Sequence, residues 1–135
     1  MDSELEQLYY YTLSHPSSNF IHQHVVDAHT LQAANTSTGK LALVFAALGL
    51  YLFLEKGVTG REIQQVHVKL SSQKNVLPEF ILPQESMNYP LANILSATPG
   101  SERDRAIYEW CEFVWKKFAV NKETIETWLR QHEII

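Results

Sequence analysis

Cysteine is nearly absent: Cys111 stands alone among 135 residues. No disulfide can close within the chain, and a reducing compartment is the default setting. Glycine and proline are scarce, five of each, beside 45% hydrophobic and 19% charged residues. That composition excludes collagen-like, fibrous and disordered chains and indicates a globular one. A basic cluster is missing too. Lys116-Lys117 is the only adjacent pair of cations in a chain of net charge −4, which argues against a nucleic-acid partner, since phosphate binding needs a clustered positive face. The longest apolar run, Leu41 to Leu54, has 14 residues, short of the ~20 that span a bilayer, so no membrane partner is expected. Met1-Asp-Ser-Glu-Leu-Glu6 is acidic where a signal peptide is basic and then apolar. These features predict a cytoplasmic protein. Finally, the chain holds no H-E-x-x-H, C-x-x-C, E-x-x-H or G-x-S-x-G, the spacings that announce common metal or nucleophile chemistry.

What is present is helical periodicity. Ser3 and Glu6 have capping-box spacing ahead of Leu5, Leu8 and Thr12. That helix should end near Ser14, because Pro16 disfavours the α conformation at His15. Ser17 to Asn19 offer N-caps for a second helix at about 20–34, and a polar loop then leads to a mostly apolar helix at about 40–56, closed by Gly57. Thr59 and Glu62 form a second capping box, opening a helix that should run to about Lys74. Three prolines interrupt the stretch at about 75–90, which reads as an extended segment lying on the core as a lid or a strap. A short helix at 91–97 precedes the strongest pattern: Ile107, Trp110, Cys111, Val114, Trp115 and Phe118 at i, i+3, i+4 spacing. Asn121 is placed to cap a last helix carrying Ile125, Trp128 and Leu129. The expected fold is all-α: a single domain over residues 1–135, built as a bundle of six to seven helices around the apolar one.

Chemistry concentrates in His22-Gln-His-Val-Val-Asp-Ala-His29. At ~100° per residue, His22, Val26 and His29 share one side, whereas His24 and Asp27 share another. His22 and His24 therefore cannot bind one ion from a regular helix. His24 and Asp27, three apart, can converge as two ligands or as a ligand with its supporting carboxylate. His67 lies on the apolar stripe Ile63, Val66, Leu70 and should point inward as a third. Metal ligands His24, Asp27 and His67 would hold a divalent ion (zinc, nickel, iron or manganese) with an open position for water. His22 and His29 are the catalytic acid or base candidates, as imidazole titrates near neutral pH. The competing account is structural: a buried histidine is commonly satisfied by a carbonyl or carboxylate, and Asp27 supplies one to His24. Cys111 sits on the core stripe and should be an inert thiol. Gly57 and Gly60 resemble an anion-binding helix start but fit a capped helix better. Arg61 and Arg103 would orient a substrate carboxylate wherever they border a pocket.

Taken as a set, Tyr11-Thr-Leu-Ser-His15, Phe20-Ile-His-Gln-His-Val-Val-Asp-Ala28, Ala47-Leu-Gly-Leu-Tyr-Leu52, Thr59-Gly-Arg-Glu-Ile-Gln-Gln-Val-His67 and Pro99-Gly-Ser-Glu-Arg-Asp104 resemble a family of small uncharacterised bacterial proteins, a domain of unknown function. The resemblance implies one domain and a bacterial source; it carries over no activity, substrate or catalytic residue. The expectation is a His/Asp-lined pocket between helices that binds a divalent metal or a small ligand, with metal-assisted hydrolysis or transfer if it is an enzyme. The alternative is a non-catalytic interaction module or homo-oligomer using the aromatic C-terminal helices, where Tyr108, Trp110, Phe113, Trp115, Phe118 and Trp128 offer more apolar surface than a small core needs.

Overall fold

The computed structural model describes residues 3–15, 21–72, 77–85 and 87–135, and among them every regular element is helical. Seven α-helices follow in order: α1 (Ser3–Ser14), α2 (His22–Gln32), α3 (Lys40–Lys56), α4 (Gly60–Leu70), α5 (Leu91–Leu95), α6 (Ser101–Phe118) and α7 (Lys122–Gln131), with a 3₁₀ turn, Ala119–Asn121, before the last.

α3 is the axis of the arrangement. Leu, Ala and Phe dominate its sequence, and every residue from Ala46 to Leu52 is buried. A helix apolar all round must be enclosed all round, and α2, α4, α6 and α7 all pack against it. Gly57 ends it in the left-handed region (φ 68°), with the Gly57 and Val58 amides closing back onto the Phe53 and Leu52 carbonyls; only glycine takes that conformation without strain. Next, Thr59 and Glu62 make the reciprocal capping box that starts α4. Its stripe delivers Ile63 and Leu70 to the core.

Three boundaries depart from the sequence pattern. Ser3 lies inside α1, its hydroxyl accepting from Gln7, so the box predicted at Ser3 and Glu6 is not its cap. The N-caps expected at Ser17 to Asn19 lie outside the described residues. Meanwhile α4 stops at Leu70 rather than Lys74; the Ser71 hydroxyl donates to the Val68 carbonyl at 2.7 Å, the local competition that ends helices at serine.

The extended segment is a strap. Gln32 donates to the Tyr89 carbonyl, and Met87 is buried. Its anchor is Asn121, which sequence spacing had placed as a helix cap. Asn121 makes no side-chain cap bond to α7. Instead its Oδ1 accepts from the Ile81 amide at 2.7 Å, and its Nδ2 donates to the Ile81 carbonyl at 2.9 Å. One side chain thus supplies both partners that a strand neighbour would give. Replacing Asn121 by Ala should cost about 1–3 kcal/mol, as two buried hydrogen bonds are lost. Denaturant titration reads that cost, and hydrogen exchange should accelerate first at the Ile81 amide; unchanged exchange there would contradict the anchoring.

Candidate functional site

Three side chains from α2 and α4 meet one row of α3. Phe45, Gly49 and Phe53 are spaced four apart, so they stack along a single ridge of that helix. His67 lies flat on Phe45, with ring centroids 4.8 Å apart and planes at 13°. His24 lies flat on Phe53, at 3.5 Å and 7°. Between them Asp27 takes the position that Gly49 leaves open. A Cβ at Gly49 would run into Asp27 Oδ2 and stand 2.9 Å from its Cγ and 3.5 Å from Ile63 Cγ2. The glycine is there because the carboxyl is.

Asp27 is only 3% exposed. Gln23, one turn earlier on α2, donates from Nε2 to Asp27 Oδ1 at 3.0 Å, and Gln64 of α4 donates in turn to Gln23 Oε1 at 3.2 Å. The second oxygen, Oδ2, is buried and makes no hydrogen bond. Burial therefore pushes the Asp27 carboxyl well above the usual carboxylate range, and the Gln23 hydrogen bond offsets only part of that. Charging a carboxylate in an apolar interior is costly, so burial shifts this group toward its neutral form.

The other candidates sit around this centre with partners of their own. His22, half-buried in the first turn of α2, has Nδ1 2.8 Å from the Thr12 hydroxyl and its ring edge-on to Tyr9 at 5.3 Å. Burial lowers its pKa. His67 donates from Nε2 to the Phe45 carbonyl at 3.1 Å, and burial depresses its pKa against the pull of that bond. His29 occupies the last turn of α2, partly buried. Burial first, and then the field of Asp27, raise the Tyr9 phenol. Cys111 is fully buried, 3.8 Å from the His24 carbonyl, and burial raises its thiol too, as its place on the core stripe predicted.

The row on α3 also determines what does not meet. Phe45 and Phe53 are eight residues apart, roughly 12 Å along a helix axis. Two imidazoles stacked on them stand far beyond the roughly 4 Å that separates nitrogens sharing one ion with ~2 Å bonds. His24, Asp27 and His67 share a ridge but do not gather at a point. Among the described residues no group of three or more His, Cys, Asp or Glu side chains is placed to hold a metal ion. The residues that sequence reading missed are Gly49, Gln23 and Gln64. A glycine inside an otherwise apolar helix signals close approach, and Gln23 stands at i, i+4 spacing from Asp27; Gln64, on another helix, gave no signal.

Elsewhere, Trp110, Trp115, Phe118 and Trp128 are buried, Phe113 is half-buried against Tyr89, and Tyr108 is 41% exposed. The C-terminal aromatics thus serve the chain's own core. Of four surface clefts among the described residues, the largest is about 630 Å³, between α1 and the start of α6, and none of the four is lined by His22, His24, Asp27, His29 or His67. No helix among the described residues is long and apolar enough to cross a membrane.

Residues 3–119 match the family described as "Family of unknown function (DUF5946)". The chain belongs to the DUF5946 family. Its matched span runs from α1 to the end of α6 and takes in the whole Asp27–Gly49 contact, with α7 outside it. No curated protein and no solved structure matches the chain.

The contact between Asp27 and Gly49 makes a sharp prediction. Gly49→Ala should destabilise the fold by about 1–3 kcal/mol through overpacking, although alanine is the better helix former. In an Asp27→Ala background the same change should be neutral or stabilising by up to about 1 kcal/mol. Additivity of the two substitutions to within about 0.5 kcal/mol in chemical denaturation would show that they do not touch.

Proposed function

We propose that this protein binds a small polar molecule through Asp27, a neutral carboxylic acid held beneath the amides of Gln23 and Gln64. The observation that carries this reading is Oδ2 of Asp27, buried and without a hydrogen bond. Leaving such an atom unsatisfied costs free energy, and perturbed acids in unsatisfied settings concentrate at functional sites. Gln23 and Gln64 are both partly exposed and cover Oδ1 rather than Oδ2, and none of the four clefts is lined by Asp27, so a ligand would reach the acid by displacing these two side chains. A ligand carrying a carbonyl or basic nitrogen would supply the missing partner. It would accept a hydrogen bond from the neutral carboxyl, or take its proton and form a charge-assisted pair.

If chemistry follows binding, it is acid–base chemistry centred on Asp27. A cytoplasmic setting belongs to the same proposal and is supported by the single thiol of Cys111, which fits a reducing compartment.

An acid whose pKa is raised by folding weakens stability as pH rises. Below about pH 4 Asp27 is protonated in both folded and unfolded chains. Above it the unfolded chain ionises first, so stability contributed by this residue falls by up to about 1.4 kcal/mol per pH unit until folded Asp27 itself ionises. Asp27→Asn removes that fall. Its melting temperature should match the wild type near pH 4 and exceed it increasingly toward pH 8; parallel curves would leave Asp27 an ordinary carboxylate. Thermal-shift titration with small amides, amines and imidazoles tests the binding itself. Compounds that stabilise the wild type and not Asp27→Asn support the proposal, whereas equal shifts in both proteins, or none in either, contradict it.

A further inference from the structure

The largest cleft lies away from Asp27, where α1 faces the end of α5 and the start of α6. One column of flat groups forms its wall. The His15 ring is stacked on Tyr11, centroids 4.9 Å apart and planes at 16°, and the Arg103 guanidinium lies over the Tyr11 ring at 4.8 Å. Tyr11 and Arg103 are each fixed by bonds made outside the column. The Tyr11 hydroxyl donates to Asp104 at 2.6 Å and accepts from the Gly100 amide at 3.0 Å. Arg103 donates from Nε to the Ala97 carbonyl at 3.1 Å and from Nη2 to the Leu95 carbonyl at 2.7 Å. These bonds hold the guanidinium by neutral acceptors only. Among the described residues no carboxylate forms an ion pair with it, because the neighbouring acid, Asp104, is engaged by Tyr11. Among the described residues no hydrogen bond engages Nη1.

We propose that this cleft binds a small aromatic monocarboxylate, its carboxylate on Arg103 and its ring against His15 and Tyr10. A partly buried, preorganised guanidinium without a counter-ion is an anion receptor, and carboxylate is the anion its planar fork fits best. The charge of the ligand follows from Glu6, which lines the same cleft and would repel a phosphate dianion more than a monoanion. The ring follows from the exposed faces: Tyr10 is 74% exposed and lines this cleft beside the His15–Tyr11 stack. Aromatic pairs of this kind favour offset stacking. At about 630 Å³ the cleft is in the ~300–1,000 Å³ range of small-molecule sites.

The test is a titration of the full ¹⁵N-labelled chain with benzoate, against benzyl alcohol, acetate and inorganic phosphate. Benzoate should shift the Arg103 Nε–H and the amides of residues 10–15, while the three controls bind about tenfold more weakly or less, each lacking the charge, the ring or both. Glu6 and His15 are not in the core, so their variants keep the fold, as an unchanged spectrum elsewhere will show. Glu6→Gln should tighten benzoate by about twofold to fivefold, the scale of an exposed charge interaction, and His15→Ala should weaken it by about twofold to tenfold, the scale of one stacking contact. Asp27→Asn should leave benzoate binding unchanged, which separates this site from the one in the core. Equal binding of benzoate and benzyl alcohol, tighter binding of phosphate, loss of binding in Asp27→Asn, or no shift at the named groups would each overturn the proposal.

Discussion

A carboxyl group resting on the bare Cα of a neighbouring helix is the contact around which this protein is arranged. Asp27 reaches into the face of α3 only because Gly49 has no side chain, and its position sets the registry of three helices. With Asp27 on Gly49, the turn before it brings His24 onto Phe53; with Ile63 beside Gly49, the turn after it brings His67 onto Phe45. An alanine in place of the acid would need no glycine and would leave no polar atom buried. The acid costs the fold both desolvation of a polar group and the packing that a larger residue at position 49 would give. Proteins that retain such local violations do so where binding or catalysis requires them.

The same contact explains why histidines that look like a metal set in the sequence are not one in space. Helical spacing correctly paired His24 with Asp27 on one face of α2, and correctly turned His67 inward. It carried no information about where along α3 each would land, since that depends on how helices slide against each other. Antiparallel packing of α2 and α4 on α3 spreads the two imidazoles over two turns, each stacked on an aromatic face, and that of His67 also bonded to a backbone carbonyl.

Other parts of the structure were legible for plain physical reasons. The α6 stripe from Ile107 to Phe118 is buried as its spacing requires, and Thr59, Glu62 and Gly57 mark their helix ends because capping is local chemistry. The failures were long-range or competitive. Asn121 has the right residue type and position for a helix cap, yet Ile81, forty residues away, offers it a matched donor and acceptor. The Gln64–Gln23 link of the relay is likewise invisible to spacing, because it crosses from α4 to α2, whereas Gln23–Asp27 is an i, i+4 pair on one helix. Gly49 could have been singled out: a glycine within Ala47-Leu-Gly-Leu50 lowers helix propensity at the centre of the core, and only close approach accounts for it.

The protonation state of Asp27 decides between a functional acid and an ordinary surface-like carboxylate. Carbon-detected NMR of the aspartate Cγ resonances, followed from pH 3 to pH 9 on the intact protein, measures it directly. The account predicts one aspartate that stays protonated well after the others have ionised, and whose signal vanishes in Asp27→Asn. An Asp27 that titrates with the remaining aspartates would contradict it.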